Sequence, residues 1–231
     1  MITKILEGNL DNISLAATAL KSGKLVAFPT ETVYGLGAIA TDDDAVAKIF
    51  KAKSRPSFNP LIIHFKNILD VKKEVFWNDT AEALARTFWP GPITLILNRK
   101  NTSKISVLAS AGLKTVAVRV PGHYIAKILI EECGAPIAAP SANESGLISP
   151  TDAQHVMKSL FNKIPYIIDG RATKIGLEST VIDLSQDAPA ILRPGYITKE
   201  QIEKSIKYSV TVNDGSTNGT NVISPGMINK H

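Results

Sequence analysis

Thr180-Val181-Ile182-Asp183-Leu184, preceded by Tyr166-Ile167-Ile168 and followed by Ala190-Ile191-Leu192, decides the fold. Each run is short, apolar and rich in β-branched residues, the pattern of a strand. The three follow one another directly, so they cannot all be joined by the helical crossovers that parallel strands require. Working outward, further strands are expected at residues 25–28, 61–65, 93–97, 116–120, 137–139 and 208–212. Helical patterns alternate with most of these. The sum is an α/β domain around a mixed sheet with flanking helices, not a purely parallel doubly wound one.

The helices announce themselves by their ends. Asp11 or Asn12 can cap a helix through Leu15, Ala16, Ala19 and Leu20 that stops at Gly23. Thr41 followed by Asp42, Asp43 and Asp44 sets three acids at the positive end of the next helix, with Lys51 and Lys53 near its other end. Thr80 is the expected cap of a helix broken by Trp89-Pro90-Gly91-Pro92, and a helix over 124–132 follows. Thr151 with Gln154 and Thr198 with Gln201 read as capping boxes.

The chain has 231 residues, 44% hydrophobic and 20% charged, enough to bury a full core and too apolar for a disordered polyelectrolyte. No apolar run is long enough to span a bilayer, and residues 1–4 lack the apolar stretch of a signal peptide, so a cytoplasmic protein is expected. A single cysteine, Cys133, excludes an intrachain disulfide framework and a multi-cysteine zinc site. It is expected to be buried and inert. The net charge of +5 fits an anionic partner, nucleotide or nucleic acid. No block of consecutive Lys and Arg marks a nucleic-acid groove, and weak RNA binding stays as an alternative.

Chemistry is suggested where polar residues follow apolar runs. Lys53-Ser54-Arg55-Pro56 offers a planar guanidinium fork and a movable ammonium, a pair suited to phosphate. Pro140-Ser141-Ala142-Asn143 brings a hydroxyl and an amide to the end of another apolar run. Pro29-Thr30-Glu31-Thr32-Val33-Tyr34-Gly35-Leu36-Gly37 reads either as a ligand-binding strand end or as a turn into a second strand. Arg119 lies inside a strand and must face solvent, pair with an acid or meet an anion. His64 also lies inside an apolar strand, where a core role is the commoner one. Histidine spacing supports no metal centre, and neither a P-loop nor a Gly-x-Gly-x-x-Gly fingerprint occurs.

Taken in order, these segments resemble the YrdC-type threonylcarbamoyl-AMP synthase family. The resemblance covers about residues 12–206 and adds Asn59-Pro60-Leu61-Ile62-Ile63-His64, Trp89-Pro90-Gly91-Pro92-Ile93-Thr94, Val118-Arg119-Val120-Pro121, Ser145-Gly146, Ser149-Pro150-Thr151, Glu178-Ser179-Thr180-Val181 and Leu192-Arg193-Pro194-Gly195. Ser54 departs from the glycine that the family commonly carries there. The resemblance implies a single domain with a twisted mixed sheet and a concave basic cleft. It implies that L-threonine, bicarbonate and ATP give threonylcarbamoyl-AMP and pyrophosphate, with Mg2+ carried by the nucleotide. A separate transferase system then uses the product on tRNA.

By the same resemblance Thr32, His64, Arg119, Ala139 and Ser179 surround threonine. Arg55, Asn59, Thr115, Ser141, Ser149 and Arg193 contact ATP, with Asn143 beside them, and Lys53 and Arg55 stabilise phosphate charge. A catalytic domain over residues 1–212 is expected. Residues 213–231, with Ser224-Pro225-Gly226-Met227, resemble the linker by which two-domain members reach a smaller C-terminal domain. A related carbamoyl-transfer domain of hydrogenase maturation is the enzyme alternative, and the single cysteine speaks against its zinc-finger architecture.

Overall fold

The computed structural model describes residues 2–213; beyond Asn213, the segment read as a linker lies outside the described residues. The strands are β1 (Lys4–Glu7), β2 (Val26–Pro29), β3 (Tyr34–Ile39), β4 (Ile62–His64), β5 (Ile93–Asn98), β6 (Thr115–Arg119), β7 (Ile137–Ala138), β8 (Tyr166–Asp169), β9 (Thr180–Asp183), β10 (Ala190–Arg193) and β11 (Thr211–Val212). The helices are α1 (Leu10–Lys21), α2 (Asp43–Lys53), α3 (Ile68–Glu74), α4 (Asp79–Phe88), α5 (Tyr124–Cys133), α6 (Ala153–Leu160) and α7 (Lys199–Ile206). All the strands join one sheet in the order β1-β8-β2-β3-β7-β4-β6-β5-β9-β10-β11. Parallel pairs such as β4–β6 and β5–β9 alternate with antiparallel ones such as β2–β3 and β9–β10, so the sheet is mixed as expected.

Register assigns the two faces. One face carries Ala27, Leu36, Ile63, Leu95, Val118 and Ile182 into the main core, with apolar residues of α2, α4, α6 and α7 packed in the same cluster. On the opposite face α1 and α5 cover β2, β3, β7 and β8, joining Val26, Phe28, Ile137 and Ile168 to Leu20 and Leu129. Farther along that second face, β4, β6, β5, β9 and β10 carry a smaller apolar strip of Ile62, Ala117, Ile96, Val181 and Leu192. His64 and Arg119 share this face because they pair side by side and lie two residues from Ile62 and Ala117. The site is therefore built where the sheet runs out from under the α1–α5 layer.

One strand and one helix escape the sequence reading, β1 and α3, while β3 bears out the reading of residues 29–37 as a turn into a second strand. β1 is a half-polar edge held by parallel pairing with β8, and β3 turns back to pair antiparallel with β2 through two glycines. Gly37 is needed there, because a Cβ would come within 2.8 Å of the Phe28 ring and 3.0 Å of Ile137. Three caps also move. Asn9, not Asp11 or Asn12, caps α1 by accepting from the Asn12 N–H at 3.0 Å. Asn78 takes the place of Thr80 on α4, whose hydroxyl instead meets Tyr208 at 2.5 Å. Asp152 caps α6, and Thr151 bonds to the His155 ring. In each case an Asx side chain in extended backbone reaches the free N–H groups of the first turn better than the neighbour does. The Thr198–Gln201 capping box is present as expected. Cys133 is buried, and desolvation pushes its thiol up to about 12. Among the described residues no helix is long and apolar enough to cross a membrane.

Candidate functional site

Seven chain segments meet at one cavity. The turn between β2 and β3 brings Thr30 and Thr32, β4 and β6 bring His64 and Arg119, and the exit from β7 brings Ala139 and Ser141. The start of β9 adds Glu178 and Ser179, the end of β10 adds Arg193, and the segment after α2 adds Arg55. Of the residues expected from sequence, Thr32, Arg55, His64, Arg119, Ala139, Ser141, Ser179 and Arg193 line the cavity together. Lys53, Asn59, Asn143 and Ser149 stand around this lining, each bonded to it or to its loops. Thr115 begins β6, on the same face as Arg119 but four residues away, roughly 13 Å along the strand at ~3.3 Å per residue.

Arg119 is 3% exposed and does not face outward. Its Nε donates to the Gly91 carbonyl at 3.2 Å, and its Nη2 donates to Thr32 Oγ1 at 3.1 Å and to the Glu31 carboxylate. Burial alone would raise the Glu31 carboxyl. The Arg119 charge and hydrogen bond, helped by the Gly122 N–H, outweigh that and hold it below the ordinary carboxylate range. Glu31 thus orients a permanent cation beside the cavity. Sequence reasoning named the need for an acid but not this residue.

Beside it, His64 is 3% exposed, with Phe28 edge-on at 6.3 Å between ring centroids. Desolvation first, and the Arg119 charge second, pull the imidazole down to about 3, so it is neutral near pH 7. Its Nδ1 has no hydrogen-bond partner among the described residues. A buried polar atom of that kind on a cavity wall is an invitation to a ligand. Ser179 completes this side, its hydroxyl 2.8 Å from that of Thr94.

The other side holds cations of a different kind. Ser54 ends α2 in left-handed backbone (φ 50, ψ 38), the conformation glycine adopts at least cost. That turn separates Lys53 from Arg55. Arg55 donates to Asn59 through Nε to the carbonyl at 3.2 Å and through Nη2 to Oδ1 at 2.5 Å, and also to the Pro60 carbonyl at 2.9 Å. Desolvation pulls it to about 10, and it remains cationic at neutral pH. Lys53 is 1% exposed and donates to the Ser141 and Asn143 carbonyls. Arg193 grips Ser179 at both its carbonyl and hydroxyl and pairs with Glu178, which accepts from Ser149 at 2.6 Å. Glu178 is a second carboxylate that sequence reasoning did not assign, although it sits inside a motif that was singled out.

The arrangement sets Arg55, Arg119 and Arg193 around one small space with hydroxyls between them. That suits a ligand or ligand pair bearing several anionic groups, held and not covalently attacked. Among the described residues no group of three or more His, Cys, Asp or Glu side chains is placed to hold a metal ion.

The chain resembles known proteins over most of its length. The Sua5/YciO/YrdC family model, described as "Telomere recombination", matches residues 18–195. Threonylcarbamoyl-AMP synthase of Pyrococcus abyssi is 54% identical over 197 residues, 84% of this chain and 57% of that protein. The enzyme of the same name from Bacillus subtilis is 49% identical over 232 residues, 100% of this chain and 66% of that protein. This chain therefore spans somewhat less than two thirds of the length of either relative. The crystal structure of P. abyssi Sua5 complexed with L-threonine superimposes with a TM-score of 0.93 at 46% identity, covering 98% of this chain and 67% of that one. Every cavity-lining residue falls inside the span that the family model matches, and the chain belongs to the Sua5/YciO/YrdC family.

Proposed function

We propose that this chain makes L-threonylcarbamoyl-AMP from L-threonine, bicarbonate or CO2, and ATP, releasing pyrophosphate. The observation that carries the reading is one cavity with two kinds of grip: Arg119 beside a neutral His64, and Arg55 with Arg193. The first fits an amino-acid carboxylate and a neutral polar group; the second fits phosphates. The relatives named above carry the name of this activity, and a related protein has been crystallised with L-threonine.

In this reading Arg119 pairs with the threonine carboxylate, while Thr32, Ser179 and His64 fix its other polar groups and Ala139 packs beside it. The amine attacks CO2, or bicarbonate with loss of water, and gives up a proton to leave a carbamate. A carbamate oxygen then attacks the α-phosphorus, forming a P–O bond as the bond to the β-phosphate breaks and pyrophosphate leaves. Arg55 and Arg193, with Ser141, meet the charge that develops on the phosphates. Asn59 and Ser149 support them, and Thr115 meets the nucleotide farther along the cleft. Carried in with the nucleotide, Mg2+ would supply further charge neutralisation. The nearby carboxylates, Glu31 and Glu178, are already paired with Arg119 and Arg193. Holding a short-lived carbamate beside the α-phosphate is chiefly proximity catalysis.

The product is an activated acyl donor, and the reaction that consumes it is threonylcarbamoyl transfer to adenosine in tRNA, which places the enzyme in the cytoplasm. The direct test incubates the chain with ATP, threonine and bicarbonate and seeks threonylcarbamoyl-AMP and pyrophosphate by mass spectrometry. Product that appears without threonine, or no product with all three, refutes the assignment.

A further inference from the structure

Lys53 carries the motif lysine that sequence patterning assigns to phosphate, yet it is 1% exposed and is not among the residues lining the cavity. Its ammonium donates to the Ser141 carbonyl at 2.5 Å and to the Asn143 carbonyl. Its own carbonyl accepts from the Ser145 N–H at 2.9 Å, so main chain and side chain hold the same loop. Asn143 continues the hold, its Nδ2 donating to the Glu144 carbonyl at 2.9 Å and the Leu147 carbonyl at 2.7 Å. Beyond that turn, Ser149 reaches Glu178 and through it Arg193.

We propose that Lys53 and Asn143 form a clamp that shapes residues 141–149 into a wall of the cavity before any ligand arrives, and that neither of them binds phosphate. The base of the clamp is rigid. α2 is capped by Asp42 and buries Val46, Ile49 and Phe50, so the Lys53 stem leaves a fixed helix. The left-handed turn at Ser54 then sends Arg55 to the cavity while Lys53 goes to the loop. A lysine suits the clamp because its ammonium has three donors and no acceptor, matching a pocket of carbonyl oxygens. In the proposed reaction Lys53 and Asn143 are positioning residues that act through Ser141 and Ser149.

Hydrogen exchange on the ligand-free chain tests this independently of the reaction. In Lys53→Met and in Asn143→Ala, amides of residues 141–149 should exchange at least about tenfold faster than in the parent, since buried donors that fix the loop are gone. Arg55→Met removes a cavity cation whose hydrogen bonds among the described residues go to residues 59 and 60, and should leave that segment's exchange unchanged. Unchanged exchange at 141–149 in Lys53→Met together with lost ATP binding overturns the clamp and makes Lys53 a phosphate ligand. If Lys53→Met yields no folded protein, Asn143→Ala decides alone, and unchanged exchange there overturns the proposal. A kinetic readout rests on the proposed function: Lys53→Met should raise KM for ATP about tenfold or more and leave KM for threonine within about twofold. Equal rises in both refute a local clamp, whereas absence of product in the parent chain refutes the reaction and leaves the exchange result standing.

Discussion

Arg119 and Lys53 are both buried cations at the edge of one cavity, and the protein neutralises them in opposite ways. Arg119 meets a carboxylate, Glu31, across strands that the fold brings together. Among the described residues Lys53 donates to carbonyl oxygens and to no carboxylate, with Arg55 close enough to repel it and Glu178 attracting it less strongly. A guanidinium keeps its charge in either setting, but an ammonium does not: desolvation, and then Arg55, pull Lys53 down to about 7. The contrast teaches a division of labour. Permanent charge, already oriented by an acid, faces the ligand, and the titratable charge is used inside the wall.

Breaking the paired side should have the largest effect. Arg119→Ala strands the Glu31 carboxylate, 13% exposed, beside a cavity that has lost its cation. Breaking a buried pair from one side costs about 3–5 kcal/mol, and on the proposed function the substrate carboxylate loses its partner as well. Denaturant midpoints should fall sharply and threonine-dependent product should drop by at least about a hundredfold. Adding Glu31→Gln to Arg119→Met should restore much of the stability but none of the activity. Recovery of activity in that double variant would show that Arg119 serves only to neutralise Glu31.

Arg55→Ala comes next. On the proposed function it removes one charge-assisted phosphate contact, roughly 2–3 kcal/mol, so turnover should fall at least about tenfold. Near-normal pyrophosphate release would remove Arg55 from the anion grip. Because Arg55 also ties Asn59 and Pro60, the loss should appear in KM for ATP more than in KM for threonine.

The sequence displayed one half of this comparison better than the other. An arginine within Val116-Ala117-Val118-Arg119-Val120 demands a partner on general grounds. Its identity was not legible, because Glu31 lies 88 positions away and only the sheet order brings them together. Lys53 looked like its neighbour Lys51, a helix-end cation complementing the dipole, and nothing local distinguishes the exposed one from the buried one. The same physics governs the fold. β4, β5 and β9 are visible as apolar β-branched runs, whereas β3 stays open to two readings, because Gly35 and Gly37, which admit Ala139 and Phe28, interrupt its apolar run. Caps were misplaced by a few residues wherever several hydroxyl and Asx side chains compete, since the choice depends on which reaches an open N–H.

A smaller effect sharpens the titratable side. The folded-state pKa of Lys53, about 7, lies below the ordinary lysine value of 10.5. Between those values the folded chain binds fewer protons than the unfolded one, so stability rises with pH across that window. Below about pH 7 the full burden of a buried ammonium is present. Lys53→Met should flatten the rise between pH 7 and about 10, read as chemical-denaturation midpoints against pH. An unaltered slope would mean that Lys53 is solvated in solution and that the contrast with Arg119 is false.

The smallest effect is expected at His64, where burial beside Arg119 leaves the imidazole neutral down to about pH 3. The sign is the same as for Lys53. The folded state binds fewer protons than the unfolded one between about 3 and 6.5, so this residue lowers stability only as pH falls through that range. Above pH 6.5 it contributes nothing to the pH dependence of either folding or turnover. The profile of kcat/KM for threonine should therefore carry no ionisation near 6.5, and His64→Gln, which keeps a neutral polar side chain, should lower its height and leave its shape between pH 6.5 and 8 unchanged. An ionisation near 6.5 that disappears in His64→Gln would mean that the ring takes up a proton beside Arg119. A second cation would then stand on the side of the cavity where the structure provides a neutral one.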